Sequence, residues 1–283
     1  MFCDEKYIDL KNGMKLYSQI REGGHKHWLI AIHGLGEHLG RHHYLSELFA
    51  SKYNICQFDL RGHGKSQGKR GAISDFKDFS EDLLEVIKFL QDNFKMKDYM
   101  LFGHSMGGLI CSDFLQNHCP DSVYPKKAFL SCPPIGLPGL PGRFAELLPY
   151  GVTDLLSSLK LSCRVKGVVD VKKLSHDFSV YEAFMKDPLT ILKPDSSLIL
   201  NLVHATKTIF SKPLRLKCPL YCAVASKDAL VDAKSSIYYF EHIEKACVFK
   251  VFKDAYHEMH NEETKWREPY FEFLKNSLST ISA

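Results

Sequence analysis

An α/β fold is what this chain of 283 residues predicts: a mostly parallel central sheet flanked by helices, with an inserted helical cap. Three observations carry the prediction. Short apolar runs, rich in branched and aromatic residues, recur along the chain and read as strands. They alternate with stretches of helical spacing, and strands that read as continuous apolar runs belong to a parallel sheet covered on both faces. One long region then breaks the rhythm, opening on a Pro/Gly-rich run and continuing in amphipathic helical pieces without convincing strands.

The strand-like runs cover residues 15–20, 28–33, 55–59, 100–103, 128–131, 220–225 and 248–252. The clearest helical stretch is 80–94, where Leu83, Leu84, Ile87, Leu90 and Gln91 follow helical spacing between Phe79 and Phe94. The break begins at Pro133-Pro134-Ile135-Gly136-Leu137-Pro138-Gly139-Leu140-Pro141-Gly142. It divides the chain into core (1–134), cap (135–212) and core again (213–283). Within the cap, Phe144, Leu147, Leu148, Leu155, Leu156 and Leu159 form an apolar surface beside Arg143, Lys160, Arg164 and Lys166. Two readings of that face stand: helices packed on the main domain, or a surface that meets lipid at a membrane.

Composition bounds the function classes. With 45% apolar and 25% charged residues the chain is ordinary globular material, long enough to bury a substantial core. The net charge of +4 favours no nucleic-acid partner, because the basic residues are scattered and only Lys65, Lys69 and Arg70 cluster. Met1-Phe2-Cys3-Asp4-Glu5-Lys6 shows no basic stretch leading into an apolar one, and no apolar run approaches a membrane span. The nine cysteines lack metal-like spacing and read as reduced, mostly structural thiols. The expectation is a cytoplasmic chain, with peripheral membrane contact through the cap as its extension; oligomeric state is left open.

The chemistry centres on Leu101-Phe102-Gly103-His104-Ser105-Met106-Gly107-Gly108, where an apolar strand runs into Gly-x-Ser-x-Gly and then a helix. That is a nucleophile elbow, in which flanking glycines let strand and helix approach while the serine hydroxyl stays exposed. A serine hydroxyl is a weak nucleophile near neutral pH, so the elbow calls for a histidine base and an acid later in the chain. Asp228 and His257 answer it, each just past the carboxyl end of a predicted strand, where an open parallel sheet places its active site. Asp232 and Asp254 are rival acids, and His260 is a rival base. The order Ser105, Asp228, His257 is that of an α/β-hydrolase.

A tetrahedral intermediate needs two donors for its oxyanion. The Met106 N–H supplies one, and Ile32-His33-Gly34-Leu35-Gly36-Glu37-His38 offers the Leu35 N–H as the other. His33 and His104 read as buried, hydrogen-bonded support. The grouping calls for no metal and no organic cofactor.

Together these segments resemble the monoacylglycerol lipase and lysophospholipase branch of the α/β-hydrolases, over about residues 9–274. His33-Gly34-Leu35-Gly36-Glu37-His38 with Arg41 is similar to its oxyanion loop, and Asp59-Leu60-Arg61-Gly62-His63-Gly64-Lys65-Ser66-Gln67-Gly68 to its signature after the next strand. Leu174-Ser175-His176-Asp177 and Asp187-Pro188-Leu189 resemble a cap motif, and Tyr256-His257-Glu258-Met259-His260-Asn261-Glu262 the histidine segment. The resemblance implies Leu35 and Met106 as the oxyanion hole and Ser105, Asp228 and His257 as the triad. It implies Glu37, Arg41 and His260 near a glycerol-like head group, although Glu37 and Arg41 equally suit a loop-bracing ion pair, the preferred reading.

Two departures touch alcohol recognition and neither touches the triad. His42 and His43 stand between Arg41 and Tyr44, and Phe184 occupies the cap position where the animal lipase has a head-group-contacting tyrosine. The expected activity is a serine hydrolase acting on carboxylic esters of lipid-like substrates, foremost monoacylglycerol or lysophospholipid, through an acyl-enzyme on Ser105. The alternatives are a carboxylesterase, a thioesterase or an aminopeptidase of the same fold, and, from a different class, a non-catalytic binding protein, whose mark would be a missing triad member.

Overall fold

In the computed structural model, residues 3–136, 151, 162–165, 170–214 and 216–279 are described. Eight strands form one sheet: β1 (Cys3–Asp9), β2 (Lys15–Arg21), β3 (His27–Ile32), β4 (Asn54–Phe58), β5 (Asp98–His104), β6 (Lys127–Ser131), β7 (Leu220–Ala225) and β8 (Val248–Phe252). Their spatial order is β1-β2-β4-β3-β5-β6-β7-β8. The β1–β2 and β2–β4 pairings are antiparallel and the other five parallel, so a mixed edge adjoins a parallel body. The first strand had no counterpart in the sequence reading; the other seven fall on the expected runs.

Every residue of β4 and β6 is buried, and both faces of the sheet feed a core. Along β3, Trp28, Ile30 and Ile32 join one cluster while Leu29 and Ala31 join the other; along β5, Tyr99 and Leu101 part from Met100 and Phe102 in the same way. This alternation follows from the two-residue period of a strand. It explains why such strands read as unbroken apolar runs.

Helices cover each face. Helix α1 (Tyr44–Phe49) contributes Leu45 and Phe49 to the second cluster. Helix α2 (Lys77–Phe94) buries Phe79, Leu83, Val86, Ile87 and Leu90, a stripe at helical spacing, in the first. It starts three residues earlier than its apolar pattern does, and ends at Lys95, whose φ of 55° is left-handed. Helix α3 (Met106–Asp113) is buried throughout behind the sheet.

Between β6 and β7 lie α4 (Phe178–Lys186) and α5 (Ser196–Ile209), capped by Asp177 and Asp195, whose carboxylates accept the Ser179 and Ser197 N–H. Helix α5 places Leu198, Leu202, Ala205 and Ile209 in the main core cluster. Most of the proposed lipid-facing surface, from Arg143 to Lys160 with Lys166, lies outside the described residues. Arg164 is described, and its Nη1 donates to the Arg70 carbonyl at 2.7 Å and the Lys193 carbonyl at 3.1 Å. Helices α6 (Ala233–Tyr238) and α7 (Thr264–Leu278) complete the chain, α7 burying Tyr270, Leu274 and Leu278 against the second face. Among the described residues no helix is long and apolar enough to cross a membrane.

Candidate active site

Strand β5 ends at His104, and Ser105 follows with φ 51° and ψ −121° before α3 begins. A non-glycine residue at positive φ is strained, and the surrounding packing must over-determine it. The Ser105 N–H donates to the Ser131 carbonyl at 2.8 Å, and the Ser105 carbonyl accepts from Gly108 at 2.8 Å and Leu109 at 3.2 Å. Close approach is the reason for the glycines: a Cβ on Gly103 would strike the Gly107 carbonyl and Cys111 Sγ, and one on Gly107 would strike the Ile32 carbonyl of β3.

Asp228 lies three residues past β7 and His257 five past β8. Their side chains are nearly closed to solvent, with His257 Nδ1 2.6 Å from Asp228 Oδ2. The other carboxylate oxygen, Oδ1, accepts the Leu230 and Val231 N–H at 2.8 and 3.0 Å, which fixes the acid's rotamer. An ionised carboxylate only accepts, so Nδ1 carries the proton and Nε2 is left with a lone pair. Burial opposes charge on the ring, but the Asp228 carboxylate and its hydrogen bond outweigh burial and hold the His257 pKa well above the ordinary value.

Among the described residues no hydrogen bond joins Ser105 Oγ to this ring. Such bonds commonly tighten only once substrate is bound. The rival acids are committed elsewhere. Asp232 caps α6, accepting from Lys234 and Ser235. Asp254 pairs with Lys227 at 3.0 Å on the surface.

The loop after β3 faces the elbow, with the Gly34 Cα so close that a Cβ there would stand 3.0 Å from Ser105 Cβ. Glu37 Oε1 accepts the Gly34 N–H. Among the described residues neither the Leu35 nor the Met106 N–H donates to another protein group, and Met106 is the first residue of α3, where helix N–H groups have no internal partner. Asp59 braces the loop from below, accepting the Leu39 N–H at 2.8 Å and the Lys65 N–H at 2.7 Å. His33 supports it as expected, its Nδ1 2.9 Å from the Gly34 carbonyl and its Nε2 accepting the Leu60 N–H at 2.9 Å. His104 is buried too, but its Nδ1 has no partner, which departs from the hydrogen-bonded role read from sequence.

The four residues linked by resemblance to a head group gather in one cluster. Arg41 Nε is 3.5 Å from Glu37 Oε2, its Nη2 donates to Glu258 Oε2 at 2.5 Å, and its guanidinium carbon stands 4.9 Å from the Phe184 ring centroid. An ion pair bracing the loop is therefore present. His260 is 3% exposed; its ring stacks on Tyr44 at 4.7 Å and lies 4.9 Å from His42 and 5.1 Å from His104. Both its ring nitrogens lack a partner, as does the Tyr44 hydroxyl. Burial holds the His260 and His104 pKa values well below the ordinary imidazole value.

Sequence reasoning marked His42 only as a departure between Arg41 and Tyr44 and did not foresee that it faces Glu37 Oε1 at 3.1 Å; Cys132 it passed over. Cys132 follows β6 at φ 48°, and its Sγ, an Asp228 oxygen and a His257 nitrogen lie within 4.8 Å of one another. These are ligand types a divalent ion accepts, yet the carboxylate and the imidazole are already joined to each other, and burial pushes the thiol pKa up, against the thiolate a metal needs. The left-handed φ at Cys132 leaves no sequence signal beyond the Pro133 that follows it.

A family described as serine aminopeptidase, S33, matches residues 23–264. The monoglyceride lipase of Rattus norvegicus is 27% identical over 247 residues, 85% of this chain and 78% of that protein. The phospholipase YtpA of Bacillus subtilis is 28% identical over 242 residues, 83% of this chain and 88% of that protein. A longer relative, an uncharacterized abhydrolase domain-containing protein of Dictyostelium discoideum, is 24% identical over 83% of this chain, which spans 24% of its length. Among solved structures, a monoacylglycerol lipase of Paleococcus ferrophilus superposes with a TM-score of 0.80 at 26% identity, covering 93% of this chain and 98% of that one.

Proposed function

The chain belongs to the serine aminopeptidase S33 family of α/β-hydrolases, and from that premise we propose that it hydrolyses carboxylic esters of lipid-like substrates, monoacylglycerol first among them, through an acyl-enzyme on Ser105. The observation that carries the residue assignment is the 2.6 Å Asp228–His257 contact beside the strained Ser105 elbow. His257 Nε2 takes the Ser105 hydroxyl proton as Oγ attacks the ester carbonyl, and Asp228 stabilises the imidazolium that results. The Leu35 and Met106 N–H groups receive the oxyanion, each such donor typically worth about 10²- to 10³-fold in rate. The tetrahedral intermediate collapses, His257 gives its proton to the departing alcohol, and the acyl group remains on Ser105. Water then attacks the acyl-enzyme with His257 again as base, releasing the fatty acid and restoring the hydroxyl.

In this reading residues 135–212 form the cap that roofs the acyl chain, Glu37 and Arg41 brace the oxyanion loop, and His260 and Phe184 close the alcohol side. Peripheral contact of the cap with a lipid surface, in a cytoplasmic setting, belongs to the same proposal and rests on sequence alone. Lysophospholipid is the second substrate class, favoured by the similarity to a protein named as a phospholipase.

The test is turnover of monoacylglycerol and lysophosphatidylcholine by the purified chain beside Ser105→Ala. Fatty acid release that disappears in the variant supports the proposal. Equal inertness of the wild type toward both lipids would overturn the substrate class.

A further inference from the structure

One buried carboxylate clasps the strap leading into α4 to the segment that carries His257. Glu262 is 1% exposed. Its Oε1 accepts the Tyr256 N–H at 2.7 Å and faces His176 Nδ1 at 2.8 Å; its Oε2 accepts the His176 N–H at 2.9 Å and lies 3.2 Å from Ser175 Oγ. Tyr256 immediately precedes His257, whereas Ser175 and His176 stand just ahead of Asp177, the cap of α4. The same strap is tied twice more, by the Glu258 N–H to the Leu174 carbonyl at 2.8 Å and by Ser175 Oγ to the Asn261 carbonyl at 2.8 Å. The His176 ring is sandwiched between Tyr256, with centroids 3.8 Å apart, and Trp266 at 4.2 Å.

A buried carboxylate is tolerated only while its oxygens are satisfied. Moving the strap away would strip Glu262 of three of its four contacts, so strap and histidine segment move together or not at all. None of the ester chemistry assigned above calls on these groups. Yet His257 sits on a connection, not on a strand, and a connection holds an angle only if something fixes it. We infer that Glu262 is a positioning residue for His257: it fixes the base through the cap strap, so that acyl transfer depends on the strap even when the substrate is too short to reach the cap. The inference rests on the ester-hydrolase reading.

The test compares wild type, His176→Ala, His176→Asn and Glu262→Gln on p-nitrophenyl acetate and on a long-chain monoacylglycerol, with the rate of fluorophosphonate labelling alongside. Because misplacing a catalytic group by about 1 Å can cost on the order of 10²-fold, His176→Ala and Glu262→Gln should lower kcat on the acetate and the labelling rate by about 10- to 100-fold, with KM nearly unchanged. His176→Asn, whose amide N–H can still reach Oε1, should recover most of the loss. Should Glu262→Gln fail to fold, His176→Ala, on a side chain 26% exposed, still decides the matter. An active wild type matched by His176→Ala in both short-ester kcat and labelling rate overturns this inference alone, even if long-chain turnover changes. An inert wild type overturns it together with the hydrolase reading.

Discussion

His257 Nδ1 stands 2.6 Å from Asp228 Oδ2, and the opposite oxygen of that carboxylate is pinned by the Leu230 and Val231 N–H groups. The acid is therefore held by its own loop before it meets the ring, and the ring tautomer follows from it. Asp228→Asn keeps the shape but can present an amide N–H to Nδ1, which favours the wrong tautomer. It should lower kcat by about 10³- to 10⁴-fold on a short ester while the far-ultraviolet circular dichroism stays that of the wild type. A loss smaller than about tenfold would remove Asp228 from the account.

The pH dependence follows from the raised His257 pKa. Catalysis needs the neutral ring, so kcat/KM should rise with pH along a limb whose midpoint lies above the ordinary value of 6.5. Stability runs the other way: the Asp228–His257 pair contributes fully below pH 6.5 and its contribution is lost as pH climbs through the raised value. A rate profile from pH 5 to 10, with unfolding followed at each point, checks both limbs.

Strain at the elbow separates stability from activity. Ser105 holds φ 51°, a region that glycine enters without steric cost. Ser105→Gly should abolish turnover and yet raise stability by about 1–2 kcal/mol, visible as a higher Tm. An unchanged or lower Tm would mean that the turn stores no strain. Lys95, exposed at the end of α2 with φ 55°, provides a control away from the site: Lys95→Gly should stabilise by about 1 kcal/mol and leave kcat unchanged.

The readable part of this molecule was the part with local signals. Ser105, Asp228 and His257 were legible because each follows a strand end, and a strand buried on both faces announces itself as an apolar run. The first strand was not, since Asp4, Glu5 and Lys6 make it polar and its extended form comes from pairing with β2. Glu262 clasps groups 86 residues away and Asp59 one 20 away, distances that no spacing rule encodes. His104 shows the limit in the other direction: its burial was legible, but whether its Nδ1 would find a partner depended on how His42, His257 and His260 crowd around it.

Acid should destabilise the fold through its buried neutral imidazoles. Burial lowers the His63 pKa to about 4, and His33, His104 and His260 are pushed down for the same reason. In the unfolded chain each takes up a proton near 6.5, so this contribution is complete above that pH and erodes as pH falls toward the lowered values. Each such histidine takes away up to about 1.4 kcal/mol per pH unit. Urea midpoints at pH 7.5, 6.0 and 5.0 measure the slope, and His63→Asn, which can still donate to the Arg61 carbonyl, should flatten it by nearly one proton.

The most direct measurement is the mass of the chain after exposure to a fluorophosphonate probe, with peptide mapping of the adduct in wild type and in Ser105→Ala. A single adduct on the peptide containing Ser105, absent from the alanine variant, is the predicted result. A wild type that stays unmodified, or an alanine variant that still takes up the probe, would contradict the assignment of Ser105 as the nucleophile.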